Sequence, residues 1–143
     1  WKLNDVLLAK LICRVVHRGQ VDKAGEKYYK HPYAIADKLS GREEKILAYL
    51  HDAVEDQPQR FSRSKARKLF GEEVAVGLDA ITHREGEDYQ TYLQRVKANP
   101  LAKAVKLCDL HHNMDLSRIQ NPTEQDRMRV QNKYIPALKF LKE

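Results

Sequence analysis

The sequence has few cysteines, no long apolar run and no low-complexity linker, and each shortage removes a class of protein. Two cysteines, Cys13 and Cys108, in 143 residues cannot build a disulfide framework. Both lie in apolar helical patterns, where a small buried thiol is ordinary, so a cytoplasmic location is expected rather than secretion. The longest uninterrupted apolar stretch is 46–50, far short of the ~18–20 residues that a membrane helix needs, so no membrane span is expected. Strand-like alternation between hairpin turns is missing, as is any repeat at a fixed period. Without a linker to divide it, 1–143 is expected to be a single domain, within the ~100–200 residues common for one. The chain begins at Trp1, and a preceding segment is compatible with all of this.

What is present is charge. Lys and Arg number 26 against 20 Asp and Glu, giving a net +6 and a pI near 9.3. Such an excess suits an anionic partner, either nucleic acid or a nucleotide. The densest basic cluster, Arg60, Arg63, Lys65, Arg67 and Lys68, has no aromatic residues between its members to stack on bases. It reads as a solvated helix face, which makes nucleic acid the less favoured partner.

Helical periodicity runs through most of the chain. Val6, Leu7, Ala9, Leu11, Val15 and Val16 recur at helical spacing after Asn4-Asp5 and predict a first helix ending near His17. A polar loop over 19–29 follows, then a short helix opened by Pro32 and ending near Leu39. Ser40 and Glu43 have capping-box spacing and predict a third helix through Leu50 to Glu55, stopped by Pro58. Further helices are expected over 62–70, 72–81 (with strand the lesser alternative), 88–98, 101–116 and 123–141, the last kinked at Pro136. The fold class is therefore all-α, a bundle of about seven or eight short helices.

Two helical stretches carry chemistry. His51 and Asp52 are followed at four-residue spacing by Glu55 and Asp56, so one stripe would hold an imidazole and three carboxylates. Three acids at the negative end of a helix dipole repel one another and favour a bound cation. An acidic, solvated helix end with an incidental histidine is the competing reading. The second stretch is 106–114, where Asp109 and Asn113 share a face, His112 lies three residues from Asp109, and Leu107, Leu110 and Met114 form the apolar side. His31 stands apart, at a helix start beside Pro32. Together His31, His51, Asp52 and Asp109 offer two nitrogens and two carboxylates, a mixture that suits Mn²⁺, Fe²⁺ or a catalytic Zn²⁺ better than a closed structural zinc site.

The ordered strings His17-Arg18-Gly19-Gln20, Tyr29-Lys30-His31-Pro32, Leu50-His51-Asp52-Ala53-Val54-Glu55-Asp56, Phe70-Gly71, Ile81-Thr82, Lys106-Leu107-Cys108-Asp109 and His112-Asn113-Met114 resemble the HD-domain hydrolases of the RelA/SpoT type, above all their small stand-alone relatives. The resemblance runs from about residue 5 to about 118, and the segment after Asn121 adds little to it. It implies an all-α HD domain that removes the 3′-pyrophosphate from the alarmone (p)ppGpp, part of the stringent response, usually with Mn²⁺. By the same resemblance His31, His51, Asp52 and Asp109 would be the metal ligands. Glu55 and Asp56 would position and activate the attacking water, with Glu55 the first choice as base. Asn113 would contact the substrate, and Lys23 could pair with a phosphate.

The departures from the family pattern concern substrate more than metal. Asp22 stands where the first of two basic residues is common, Lys27 where proline is common, Leu110 replaces an arginine, and 115–118 reads Asp-Leu-Ser-Arg in place of Arg-Thr. The expected activity is thus divalent-metal-dependent hydrolysis of a phosphorylated nucleotide, with (p)ppGpp as best guess; a synthetase region is not expected in 143 residues. The alternative is a catalytically idle HD-like domain that binds nucleic acid or a protein. Oligomeric state and the roles of His83 and His111 are not legible.

Overall fold

The computed structural model describes residues 4–143. Ten α-helical segments occur in order: α1 (Asp5–Val16), α2 (Lys30–Asp37), α3 (Arg42–Leu50), α4 (Ala53–Asp56), α5 (Arg63–Phe70), α6 (Glu72–Ile81), α7 (Tyr89–Ala98), α8 (Pro100–Met114), α9 (Glu124–Arg129) and α10 (Ile135–Lys142). A 3₁₀ turn over Leu116–Arg118 follows α8, and a π turn over Val130–Tyr134 joins α9 to α10. Among the described residues the only β pairing is an isolated bridge between Val21 and Lys27, which closes the loop between α1 and α2. Among the described residues no helix is long and apolar enough to cross a membrane.

Local chemistry sets most boundaries. The side chains of Asn4, Ser62, Asp88, Asn99 and Thr123 each accept a backbone N–H in the first turn of the helix they precede, satisfying donors that have no partner inside that helix. Three expectations need correction. The second helix begins at Lys30, so His31 and Pro32 both lie in its first turn. The N-cap of α3 is Gly41 rather than Ser40; the Glu44 carboxylate, not Glu43, accepts from the Gly41 N–H at 3.0 Å. Most important, the third helix does not run on to Glu55. It ends at Leu50, and a turn at His51-Asp52 separates it from the four-residue α4. That break and the π turn before Pro136 raise the eight expected helices to ten. Pro136 lacks the N–H that would hold the preceding turn, and the wider π turn falls immediately upstream of it.

The core centres on α3, in which Ile46, Leu47, Ala48, Tyr49 and Leu50 are all buried. This second half of α3 is buried on every side and needs neighbours all round, and α1, α2, α6 and α8 supply them. The α3–α6–α8 contact depends on Gly77: a Cβ there would lie 3.1 Å from Leu101 Cδ2 and 3.2 Å from Leu47 Cδ2. Gly77→Val is expected to destabilise by about 1–3 kcal/mol, since packed cores absorb extra methyl groups poorly. Urea unfolding would show a lower midpoint at unchanged slope; an unchanged midpoint would contradict this close packing. Cys13 belongs to the same core, where burial, then the nearby Asp52 charge, pushes its thiol up to about 12.

Candidate functional site

The buried C-terminal end of α3 delivers His51 and Asp52 to a fixed position. His51 is the residue that closes α3, and its Nδ1 donates to the Ala48 carbonyl at 2.6 Å, one of the last-turn acceptors that a helix leaves unpaired. That leaves Nε2 facing the site; burial opposes a second proton there, but the Asp52 and Asp109 charges raise His51 well above the ordinary imidazole value, so in the metal-free protein Nε2 holds a proton that a cation would displace. That Nε2 is buried and has no hydrogen-bond partner. It faces two carboxylates, Asp52 Oδ2 at 3.1 Å and Asp109 Oδ1 at 3.6 Å.

His31, from the first turn of α2, faces the same two acids. Its Nε2 lies 2.8 Å from Asp109 Oδ1 and 3.8 Å from Asp52 Oδ2. The other ring nitrogen, Nδ1, is 2.6 Å from Nδ1 of His112 on α8. Burial, then the His31 charge, holds His112 down at about 4, so His112 is neutral near pH 7 and can accept a proton donated by His31 Nδ1. His31, His51 and Asp109 are each at most 6% exposed. The turn after α3, the start of α2 and the middle of α8 thus bring two imidazoles and two carboxylates to one point.

Each acid is held in place. Asp52 Oδ2 accepts from the Tyr28 hydroxyl at 2.5 Å, Asp109 Oδ2 from Lys106 Nζ at 2.9 Å, and Asp109 Oδ1 from Asn113 Nδ2 at 3.3 Å. Burial alone would raise the Asp52 carboxyl, but His51 holds it well below the usual carboxylate range; Lys106 and the two histidines do the same for Asp109. Both are therefore ionised near neutral pH. Asn113, expected as a substrate contact, is a partner of Asp109 that also lines the cavity.

These donors fit a divalent cation. His31, His51 and Asp52 alone form a cluster whose ligand atoms lie within 4.8 Å of one another, and Asp109 approaches both imidazoles. A buried imidazole nitrogen without a hydrogen-bond partner, aimed at two ionised oxygens, is costly unless something positive shares the space. The ring nitrogen opposite each candidate donor is already engaged, as outer-shell partners engage metal-binding histidines. Mixed N and O donors suit Mn²⁺, Fe²⁺ or Zn²⁺.

Beyond the break after α3, Glu55 and Asp56 have different surroundings. Glu55 lines the cavity, where one carboxylate oxygen accepts from the His83 N–H at 3.4 Å. Asp56 instead accepts from Gln20 Nε2 at 3.2 Å, and Gln20 is tied to His17 Nδ1 at 2.9 Å. Burial, then the Asp52 charge, raises both carboxyls above their ordinary values. His83 is thereby placed as a backbone donor to Glu55, while His111 is exposed.

The cavity measures about 400 Å³, within the range of small-molecule sites. Its wall includes Lys23, Tyr89, Tyr92 and Arg118, and also Arg129, Lys133 and Tyr134 from the C-terminal segment, which the sequence left out of the site. Asp22 and Arg118, two of the departures noted above, are partners at 3.8 Å. Asp22 also accepts the N–H groups of Ala24 and Glu26, so it pins its own loop. The basic cluster of 60–68 is largely committed elsewhere: Arg63 pairs with Asp79, Arg67 with Glu72 at 2.8 Å, and Arg60 donates to the Val16 carbonyl at 2.8 Å.

No protein-family model matches the chain. The chain is 32% identical to a GTP pyrophosphokinase of Streptomyces coelicolor (87% of this chain, 16% of that protein) and 30% identical to a probable GTP pyrophosphokinase of Mycobacterium leprae (78% and 16%). It therefore spans about one sixth of the length of these curated relatives. A solved structure described as a metazoan ortholog of SpoT that hydrolyzes ppGpp and plays a role in starvation responses superposes with a TM-score of 0.78. That match covers 99% of this chain and 86% of the other at 20% identity, and it shows the all-α HD fold. Over most of its length the chain is thus similar to one part of these RelA/SpoT-type proteins, and it has the all-α HD fold.

Proposed function

We propose that this single domain is a divalent-metal-dependent phosphohydrolase of the cytoplasm that removes the 3′-pyrophosphate from (p)ppGpp. The observation that carries the reading is the meeting of His31, His51, Asp52 and Asp109, with His51 Nε2 buried and unpartnered beside ionised oxygens. Those four residues would hold the cation, with Mn²⁺ the first choice. When bound, it supplies Lewis acidity, lowering the pKa of water toward ~7 and offsetting charge on phosphate oxygens.

The chain's own residues do the rest. Glu55, on the cavity wall with its carboxyl raised by burial, accepts the proton of the attacking water. Asp56, held by Gln20, sets the orientation of the short α4 on which Glu55 sits. Lys23 meets phosphate at the rim, and Asn113 bridges Asp109 and the substrate. The tyrosine rings of the wall, Tyr89 and Tyr92, offer apolar surface to the nucleoside. Two carboxylates with two imidazoles beside a base favour hydrolysis over transfer.

The test is pyrophosphate release from ppGpp by the purified protein in Mn²⁺ and in chelator. Release with Mn²⁺ that stops in chelator and returns when Mn²⁺ is restored is expected. No release from ppGpp by protein shown to contain metal would overturn the substrate assignment.

A further inference from the structure

The loop over 82–88 joins α6 to α7 and is held from behind by one side chain, Arg95 of α7. Arg95 Nη1 donates to Glu87 Oε2, and Nη2 donates to the Thr82 carbonyl at 2.8 Å and to Glu87 Oε1 at 3.0 Å. The guanidinium thus closes on both ends of the loop. Glu87 in turn accepts from the Arg84 N–H at 3.2 Å, and its own carbonyl accepts from His83 Nε2 at 2.8 Å. Gly86, at φ +75°, makes the left-handed turn that brings Glu87 back over Arg84.

Little solvent reaches this pair: the Arg95 and Glu87 side chains are 21% and 11% exposed. Hydrogen bonds from Arg95 hold the Glu87 carboxyl down at about 2, so both partners are ionised throughout the neutral range. A two-pronged guanidinium contact with little water to compete fixes direction as well as distance, unlike the exposed pairs Arg67–Glu72 and Arg127–Glu124.

Among the described residues neither Arg95 nor Glu87 lines the cavity, whereas His83 within the loop and Tyr89 just after it do. The loop reaches the acids through the His83 N–H, which donates to Glu55 Oε2 at 3.4 Å. Among the described residues this is the one hydrogen bond that the Glu55 carboxylate receives. With α4 only four residues long, the carboxylate has little else to fix its direction.

We propose that Arg95 and Glu87 are a positioning pair for the base: by locking the loop over 82–88 they keep the His83 N–H where it holds the Glu55 carboxylate toward the cavity. Neither is itself a catalytic group. The chemical role of Glu55 rests on the hydrolase reading; the lock on the loop does not.

The test combines Arg95→Gln/Glu87→Gln, which leaves the net charge unchanged and strands neither partner, with Glu55→Gln. Single-turnover rates on ppGpp with Mn²⁺ are measured for wild type, each variant and their combination, together with metal content and thermal melts. With Glu55 present, the amide pair is expected to lower the rate by about tenfold to 10²-fold at wild-type metal content, as a small misplacement of a reacting group does. With Glu55→Gln the same pair should cost less than about twofold, because no base remains to be aimed. A general weakening of the fold would lower both backgrounds alike. Hydrogen exchange gives a reading independent of turnover: amides of 82–88 should exchange about tenfold or more faster in the amide pair, and those of α3 at the wild-type rate. If the amide pair fails to melt cooperatively, Arg95→Lys, which keeps the charge and loses the fork, is read in the same two backgrounds. Equal losses with and without Glu55, or unchanged rate and exchange, would overturn the positioning role. Absence of ppGpp hydrolysis by wild type would sink the hydrolase reading and with it the role of Glu55, while faster exchange in the amide pair would leave the lock on the loop standing.

Discussion

Asp52→Ala is expected to remove bound metal and, with it, turnover. Asp52 Oδ2 is the oxygen nearest His51 Nε2, at 3.1 Å, and His31 Nε2 lies 3.8 Å away, so its loss opens the cluster on one side. Removing a group that only supports a metal ligand costs about 10–100-fold in affinity, and removing a ligand should cost more than that. Elemental analysis after dialysis should find stoichiometric metal in wild type and little in the variant. Thermal melts provide an independent reading: a ligand at 100 times its dissociation constant stabilises the native state by about 2.7 kcal/mol, so Mn²⁺ should raise the wild-type melting temperature and leave the variant's unchanged. The fold should survive, because Asp52 is the most exposed of the four, the His51 ring it leaves can lose its second proton, and the only other group freed is the Tyr28 hydroxyl. Asp109→Ala would be a poorer choice, since it strands the Lys106 ammonium in the interior. Retention of metal and of full activity by Asp52→Ala would show that the cluster is not the centre of the chemistry.

The parts of this molecule legible in its sequence are those fixed by neighbours along the chain. Asn4 caps α1 where its position before an apolar periodic stretch predicts it, and the helices expected from 62, 88 and 123 begin one residue later, with Ser62, Asp88 and Thr123 as their caps. Spacing could nominate His31, His51, Asp52 and Asp109, yet spacing holds no distance between α2, the end of α3 and α8. The turn at His51-Asp52 shows the limit. Four-residue spacing to Glu55 and Asp56 is that of one unbroken helix, whereas His51 closes α3 by donating back to Ala48, and the chain then starts a new turn. Of the two acids on that turn, Glu55 lines the cavity and Asp56 turns toward Gln20. The supporting partners were illegible for another reason: Tyr28, Lys106 and His112 are ordinary residues whose roles come from contacts across the fold. The C-terminal segment was missed because its periodicity reads as a plain helix; Arg129 and Lys133 would share a face in it, and the π turn ahead of Pro136 adds Tyr134 to the same wall.

That redistribution of carboxylates carries the second large prediction. Glu55→Gln should retain metal and lose rate by about 10²–10⁴-fold, the usual contribution of a positioned general base. Asp56→Asn should lose less, because Asp56 is turned toward Gln20 and acts on Glu55 only through the four residues of α4. The substitution at Glu55 is nearly isosteric, and the amide oxygen can still accept from the His83 N–H, so geometry is kept while the proton acceptor is lost. Single-turnover rates at saturating ppGpp isolate the chemical step, and metal content measured on the same samples separates this outcome from that of Asp52→Ala. Burial and the Asp52 charge raise the Glu55 carboxyl in the metal-free protein, so a base of this kind takes up its proton earlier on acidification than an exposed glutamate does. The wild-type rate should accordingly fall with decreasing pH on a limb that Glu55→Gln lacks. If Asp56→Asn lost the larger share of rate with metal intact, the two neighbouring acids would have to exchange roles, and the orientation of α4 would be the part of the site to reconsider.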